Sequence, residues 1–217
     1  MNNIKRKKFN VSLLGESQVG KTCMASVLTG AEFNEKNLTT IGMDTFLDKA
    51  IIDGKEYKFK IFDTNGQERY NSITDTTIKI ADGFLLVFSV DKKLSFQRIQ
   101  HWIEVIENSA DLRKKAAILV GNKIDMPNRE VTNQEALAFA KERNMEYIET
   151  SAKTGFQIKE VFRKIYQQIY RLNSGENNSG NENGKNGNDN NIKQNEKMEK
   201  FEINNNNFKV NKDKKCC

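Results

Sequence analysis

Gly15-Glu16-Ser17-Gln18-Val19-Gly20-Lys21-Thr22 is a complete G-x-x-x-x-G-K-[ST] phosphate-binding loop. Its flanks decide the fold. The apolar stretch Phe9 to Leu14 precedes it and predicts a strand, while Lys21 to Leu28 follows it and predicts a helix. In that setting the glycines let backbone N–H groups turn inward around phosphates, and the helix N-terminus adds the positive end of its dipole. Lys21 then reaches the β- and γ-phosphates, and the Thr22 hydroxyl ligates Mg²⁺. Alone, the same letters could be a glycine turn that carries a lysine. The flanking pattern and the motifs downstream argue against that.

Working outward, strands and helices alternate. Strands are predicted at Phe9–Leu14, Asp48–Ile52, Tyr57–Phe62, Phe84–Val90, Ala117–Gly121 and Met145–Glu149. Asp53-Gly54 is a hairpin turn signal, so the second and third strands should pair antiparallel. Helices are predicted at Lys21–Leu28, Asn71–Ile80, Ser95–Asn108, Asn133–Arg143 and Gln157–Leu172, and they supply parallel crossovers. Thr132-Asn133-Gln134-Glu135 is a capping box. Ile158, Val161, Phe162, Ile165 and Ile169 form the buried stripe of the last helix. The near-continuous apolar fourth and fifth strands suit a sheet covered on both faces. The expected fold is therefore α/β, a six-stranded, mostly parallel sheet flanked by helices, with ligand loops at the strand C-terminal ends.

Composition changes near Leu172. Residues 9–172 read as one folded domain; residues 173–217 are mostly Asn, Gly, Lys and Glu and read as a disordered tether. The net charge of +6 over 217 residues and a pI near 9.1 permit contact with an anionic surface. No basic run is interleaved with aromatics as nucleic-acid binding would want, so no nucleic-acid partner is expected. Lys5-Arg6-Lys7-Lys8 reads as a solvated arm that could touch lipid head groups. Phe84 to Val90 is too short to span a bilayer, and Met1 to Asn10 lacks the apolar core of a signal peptide, so a cytosolic chain is expected. Three cysteines make no disulfide framework. The single histidine, His101, offers neither metal-ligand spacing nor a base for a hydrolase triad, and reads as a surface residue.

Three further loops narrow the chemistry. Asp63-Thr64-Asn65-Gly66-Gln67 follows the third strand. A carboxylate there faces the phosphate loop and can hold Mg²⁺; the Gly66 N–H can approach a γ-phosphate, and Gln67 can orient an attacking water. Gly121-Asn122-Lys123-Ile124-Asp125 follows the fifth strand. The Asp125 carboxylate can accept from guanine N1–H and N2–H₂, a donor pair adenine does not present, with Asn122 and the Lys123 stem bracing the site. Ser151-Ala152-Lys153 follows the sixth strand and completes the base pocket. Each loop is weakly specific alone. Their order after successive strand ends is the specific signal.

That order resembles the Ras-like small GTPases, of the P-loop NTPase fold, over Phe9 to about Leu172. Thr39-Thr40-Ile41-Gly42-Met43-Asp44, Gln67-Glu68-Arg69-Tyr70 with Ser72-Ile73-Thr74, and the terminal Cys216-Cys217 resemble the Rab family within that group. The resemblance implies GTP or GDP as bound nucleotide, held by Gly15, Ser17, Gln18, Val19, Gly20, Lys21, Thr22, Cys23, Phe33, Thr40, Asp63, Gly66, Asn122, Lys123, Asp125, Ser151, Ala152 and Lys153. It implies Mg²⁺ on Thr22, Thr40 and Asp63, Gln67 as the catalytic residue, and an effector-reading surface over Ile41, Gly42, Met43, Asp44 and Thr45. It implies prenylation at Cys216 and Cys217 and residence on the cytoplasmic face of an intracellular membrane, with a cytosolic pool. The implied partners are a guanine-nucleotide exchange factor, a GTPase-activating protein, a GDP-dissociation inhibitor, a prenyl-transferase escort protein and effectors of vesicle traffic.

Several positions depart from the Rab pattern. Phe62 stands where tryptophan is usual, Thr45 where phenylalanine is, Asn65 where alanine is, and Thr77-Ile78 where a tyrosine pair is. These substitutions put effector choice and hydrolysis rate in question. A nucleotide-binding adaptor with little hydrolysis is the alternative. A P-loop metabolic kinase or ATPase is disfavoured by Asn122-Lys123-Ile124-Asp125.

Overall fold

The computed structural model describes residues 7–31, 43–64, 71–174 and 201–203, of which 71–74 and 201–203 are described by backbone alone. The alternating strand and helix signals resolve into β1 (Lys8–Leu14), α1 (Lys21–Leu28), β2 (Met43–Ile52), β3 (Lys55–Thr64), α2 (Asn71–Ile80), β4 (Gly83–Ser89), α3 (Lys93–Gln97), α4 (Ile99–Ser109), β5 (Ala116–Asn122), α5 (Asn133–Glu142), β6 (Glu146–Glu149), α6 (Ile158–Ser174) and β7 (Phe201–Ile203). The six strands read from the sequence are all present, and the sheet order is β6-β5-β4-β1-β3-β2-β7.

Strands β1, β3, β4, β5 and β6 run parallel, and β2 pairs antiparallel with β3. The hairpin closes on Asp53 and Gly54, both at positive φ (50° and 73°), the two-residue geometry that follows the twist of the strands. Every residue of β4 is buried. Leu85 and Val87 face one core with α1 and α6, whereas Phe84, Leu86 and Phe88 face the other with α2 to α5. The alternation of a strand thus feeds two cores, which is why its sequence reads as continuously apolar.

The stripe on α6 is buried as expected: Ile158, Val161, Phe162, Ile165 and Ile169 are at most 1% exposed. Each such side chain contributes roughly 1.5–3 kcal/mol on burial. Tyr166 and Tyr170 join the same face. The Tyr166 ring stacks on Phe59 with centroids 3.7 Å apart, and its hydroxyl donates to Asp48 Oδ2 at 3.0 Å. The Tyr170 hydroxyl donates to Asp53 Oδ2 at 2.9 Å. Two phenols therefore fasten α6 to the β2–β3 hairpin. Burial pushes the Asp48 carboxyl above its usual range, opposed by its bonds from the Lys49 N–H and Tyr166.

Three differences from the sequence reading have physical causes. Strand β2 begins at Met43 rather than Asp48, because the ladder with β3 continues to the Met43–Thr64 pair. Its first five residues are exposed or half-buried, so no apolar run marks them. The helix expected over Ser95–Asn108 is interrupted at Arg98, yet the Arg98 N–H still reaches Leu94 O at 3.0 Å and Trp102 N–H reaches Arg98 O at 3.2 Å. Finally, Phe201–Ile203, inside the stretch read as a disordered tail, adds a seventh strand antiparallel to β2. The rest of that tail beyond Ser174 lies outside the described residues, as do Lys5 and Arg6.

Candidate functional site

The phosphate loop connects β1 to α1, and its shape excludes other residues at two glycines. Gly15 has φ 146°, and a Cβ there would lie 2.0 Å from Val87 O on β4. Gly20 has φ 98°, and a Cβ would lie 2.4 Å from Asn122 Nδ2. Lys21 is 5% exposed, with its ammonium donating to Gly15 O at 2.7 Å and Glu16 O at 2.8 Å. Burial lowers its pKa to about 8, against the attraction of Asp63 and Glu16. The lysine is thus held over the mouth of its own loop, where an anion would sit.

Asp63, at the end of β3, is fully buried. The Thr22 hydroxyl donates to its Oδ2 at 2.5 Å. Burial raises the carboxyl to about 6, while Thr22 and Lys21 pull it down and Asp44 pushes it up. Asp44 is the residue paired with Asp63 across β2–β3, so the register itself sets two carboxylates near each other. Asp63 Oδ1 is buried with no hydrogen-bond partner among the described residues. An orphaned carboxylate oxygen beside a hydroxyl is an all-oxygen donor set of the kind Mg²⁺ prefers, so the residues fit that ion.

The base-side loops meet the phosphate loop through one side chain. Asn122 Nδ2 donates to Val19 O at 2.8 Å. Its Oδ1 accepts from Thr150 Oγ1 at 3.1 Å and from the Ala152 N–H at 3.2 Å. Ser151 Oγ donates to Asp125 Oδ1 at 2.5 Å, aligning the carboxylate read as the guanine acceptor. Lys123 stands at φ 65°, and burial lowers its pKa. Three loops from three strand ends are therefore one hydrogen-bonded unit.

A model of the Ras family matches residues 10–171. The chain belongs to the Ras family. It is 36% identical to the Ras-related protein Rab-13 of Canis lupus familiaris over 174 residues, covering 80% of this chain and 85% of that protein. It is 37% identical to the GTP-binding protein ypt3 of Schizosaccharomyces pombe over 167 residues, covering 76% and 78%. This Rab-like small GTPase accordingly binds guanine nucleotide and hydrolyses GTP.

Within this GTPase, Gly15, Ser17, Gln18, Val19, Gly20, Lys21, Thr22, Cys23 and Asp63 come together at one end of the sheet, with Asn122, Lys123, Asp125, Ser151, Ala152 and Lys153 on the neighbouring strand ends. Met43, Asp44 and Thr45 open β2. Thr45 pairs directly with Phe62, so two of the departures from the Rab pattern are neighbours; Lys60 lies over the Phe62 ring at 4.8 Å. Phe33, Thr40, Ile41, Gly42, Asn65, Gly66, Gln67, Cys216 and Cys217 lie outside the described residues. The sequence reading missed Thr150 and the second role of Asp44. Thr150 carries no motif signal, and the Asp44–Asp63 pairing exists only once the register is known.

Proposed function

We propose that this GTPase is a membrane-tethered switch whose GTP form recruits effectors in vesicle traffic. The observation that carries the nucleotide switch is Asn122, which couples the phosphate loop to the base loops, together with a Thr22–Asp63 pair that has an unused carboxylate oxygen. The likeness to Rab-13 and ypt3 supports the role in vesicle traffic. In this reading Lys21 holds the β- and γ-phosphates, and Asp125 accepts from the guanine N1–H and N2–H₂. Thr22, Asp63 and Thr40 hold Mg²⁺, which when bound would neutralise phosphate charge. Gln67 orients the attacking water. Loss of the γ-phosphate releases Thr40 and Gly66, and with them the effector surface over Ile41 to Thr45.

An exchange factor, a GTPase-activating protein and a GDP-dissociation inhibitor regulate that cycle. An escort protein presents Cys216 and Cys217 for geranylgeranylation, because one isoprenoid chain anchors only marginally and two anchor stably. Lys209, Lys212, Lys214 and Lys215 add attraction to anionic lipid. The test is direct. Denatured protein should release GDP or GTP in stoichiometric amount, and adenine nucleotide in its place would end the proposal. Changing both cysteines to serine should leave nucleotide binding intact and move the protein from membranes to the cytosol; retention on membranes would remove the lipid anchor.

A further inference from the structure

We infer that the outer edge of β2 is a strand-addition site whose occupant is this chain's own Phe201–Ile203, making the C-terminal tail a strap on the sheet. Without β7, β2 is an edge strand, and an edge strand presents unpaired N–H and C=O groups as a template for another strand. The register sets Phe201 opposite Ile52, Glu202 opposite Ile51 and Ile203 opposite Ala50. Ala50 and Ile52 are fully buried whereas Ile51 is half-buried. The apolar–acidic–apolar order of Phe201-Glu202-Ile203 is the period-2 pattern such an edge selects. It stands in a stretch of Asn, Lys and Glu where Phe208-Lys209-Val210 is the nearest similar triplet, and that one has a basic centre.

The site is also reachable. Asp53 follows Ile52 in the hairpin, and the Tyr170 hydroxyl contacts it from the last turns of α6, which ends at Ser174. The chain therefore leaves α6 at the same pole of the sheet that β7 occupies, and a coil of the length of residues 175–200 spans roughly 30 Å. That pole is opposite the nucleotide loops, because β2 runs antiparallel to the strands whose C-terminal ends carry them. Resting on the lipid-anchored reading above, the strap has a consequence. It shortens the leash between the folded domain and Cys216 from roughly 35–40 Å to roughly 20 Å on average.

Hydrogen–deuterium exchange on the full-length, GDP-bound and unprenylated protein tests the strap without any membrane, so its failure would leave the anchor reading standing. Glu202→Pro removes a strand N–H, and Ile203→Asp breaks the apolar alternation. Both variants should exchange faster than wild type across Ala50–Ile52, by about threefold or more, with β5 unchanged. Unchanged exchange at Ala50–Ile52, or an equal rise in β5, would overturn the inference. Protection that disappears on dilution would place the strand on a second copy, and would overturn the intramolecular assignment as well.

Discussion

Asp63→Asn should make the nucleotide-free protein more stable while weakening its response to Mg²⁺. The carboxyl is fully buried, and burial raises it from 3.8 to about 6. A folded pKa above the unfolded one means that the native state binds the proton more tightly, so stability is lost as pH rises between about 4 and 6. At pH 7 the ionised carboxylate then costs about 3 kcal/mol, since each tenfold change in proton affinity is worth roughly 1.4 kcal/mol. The amide keeps an acceptor for Thr22 Oγ1 but buries an NH₂ group where Oδ1 has no partner, an offset of about 1–2 kcal/mol. The net gain is about 1–2 kcal/mol, or roughly 2–8 °C in Tm for a domain of this size. Urea and thermal unfolding in EDTA, from pH 4 to 8, measure it. The gain should be largest at neutral pH and turn into a loss toward pH 4, where only the buried amide's penalty remains, and Mg²⁺ with GDP should stabilise the variant less than wild type. A variant less stable than wild type at pH 7 without Mg²⁺, or a gain independent of pH, would refute the reasoning.

Asn122→Ala strands Val19 O, Thr150 Oγ1 and the Ala152 N–H. It should cost about 2–4 kcal/mol in urea unfolding and speed GDP release, read by exchange of a fluorescent nucleotide. Tyr166→Phe leaves Asp48 without its phenol donor and should cost about 1–3 kcal/mol at neutral pH. That loss should shrink in acid as the carboxyl protonates, because the raised Asp48 pKa rises further. Gln67→Leu should abolish acceleration by a GTPase-activating protein, a factor of about 10³–10⁵ where an arginine is supplied in trans. Single-turnover hydrolysis as fast as wild type would remove Gln67 from its proposed role.

The order of the elements and the positions of the loops were legible along the chain. A phosphate loop, a hairpin turn and the stripe of α6 are local patterns, in which neighbours at fixed spacing decide backbone angle and buried face. Met43–Leu47 was not legible as strand, since its residues are half-exposed and only the β3 ladder holds them extended. Nor was the seventh strand, whose partner Ala50–Ile52 is far from it in sequence and whose three residues carry little signal of their own. The same limit applies to charge. Asp63 announced itself as a ligand by following a strand, but its raised pKa depends on burial and on Asp44 across the hairpin. Residue type and spacing determined which chemistry the chain can hold. Tertiary packing decided how tightly each charge is poised and where the tail lies, because burial and cross-strand register exist only between segments distant in sequence.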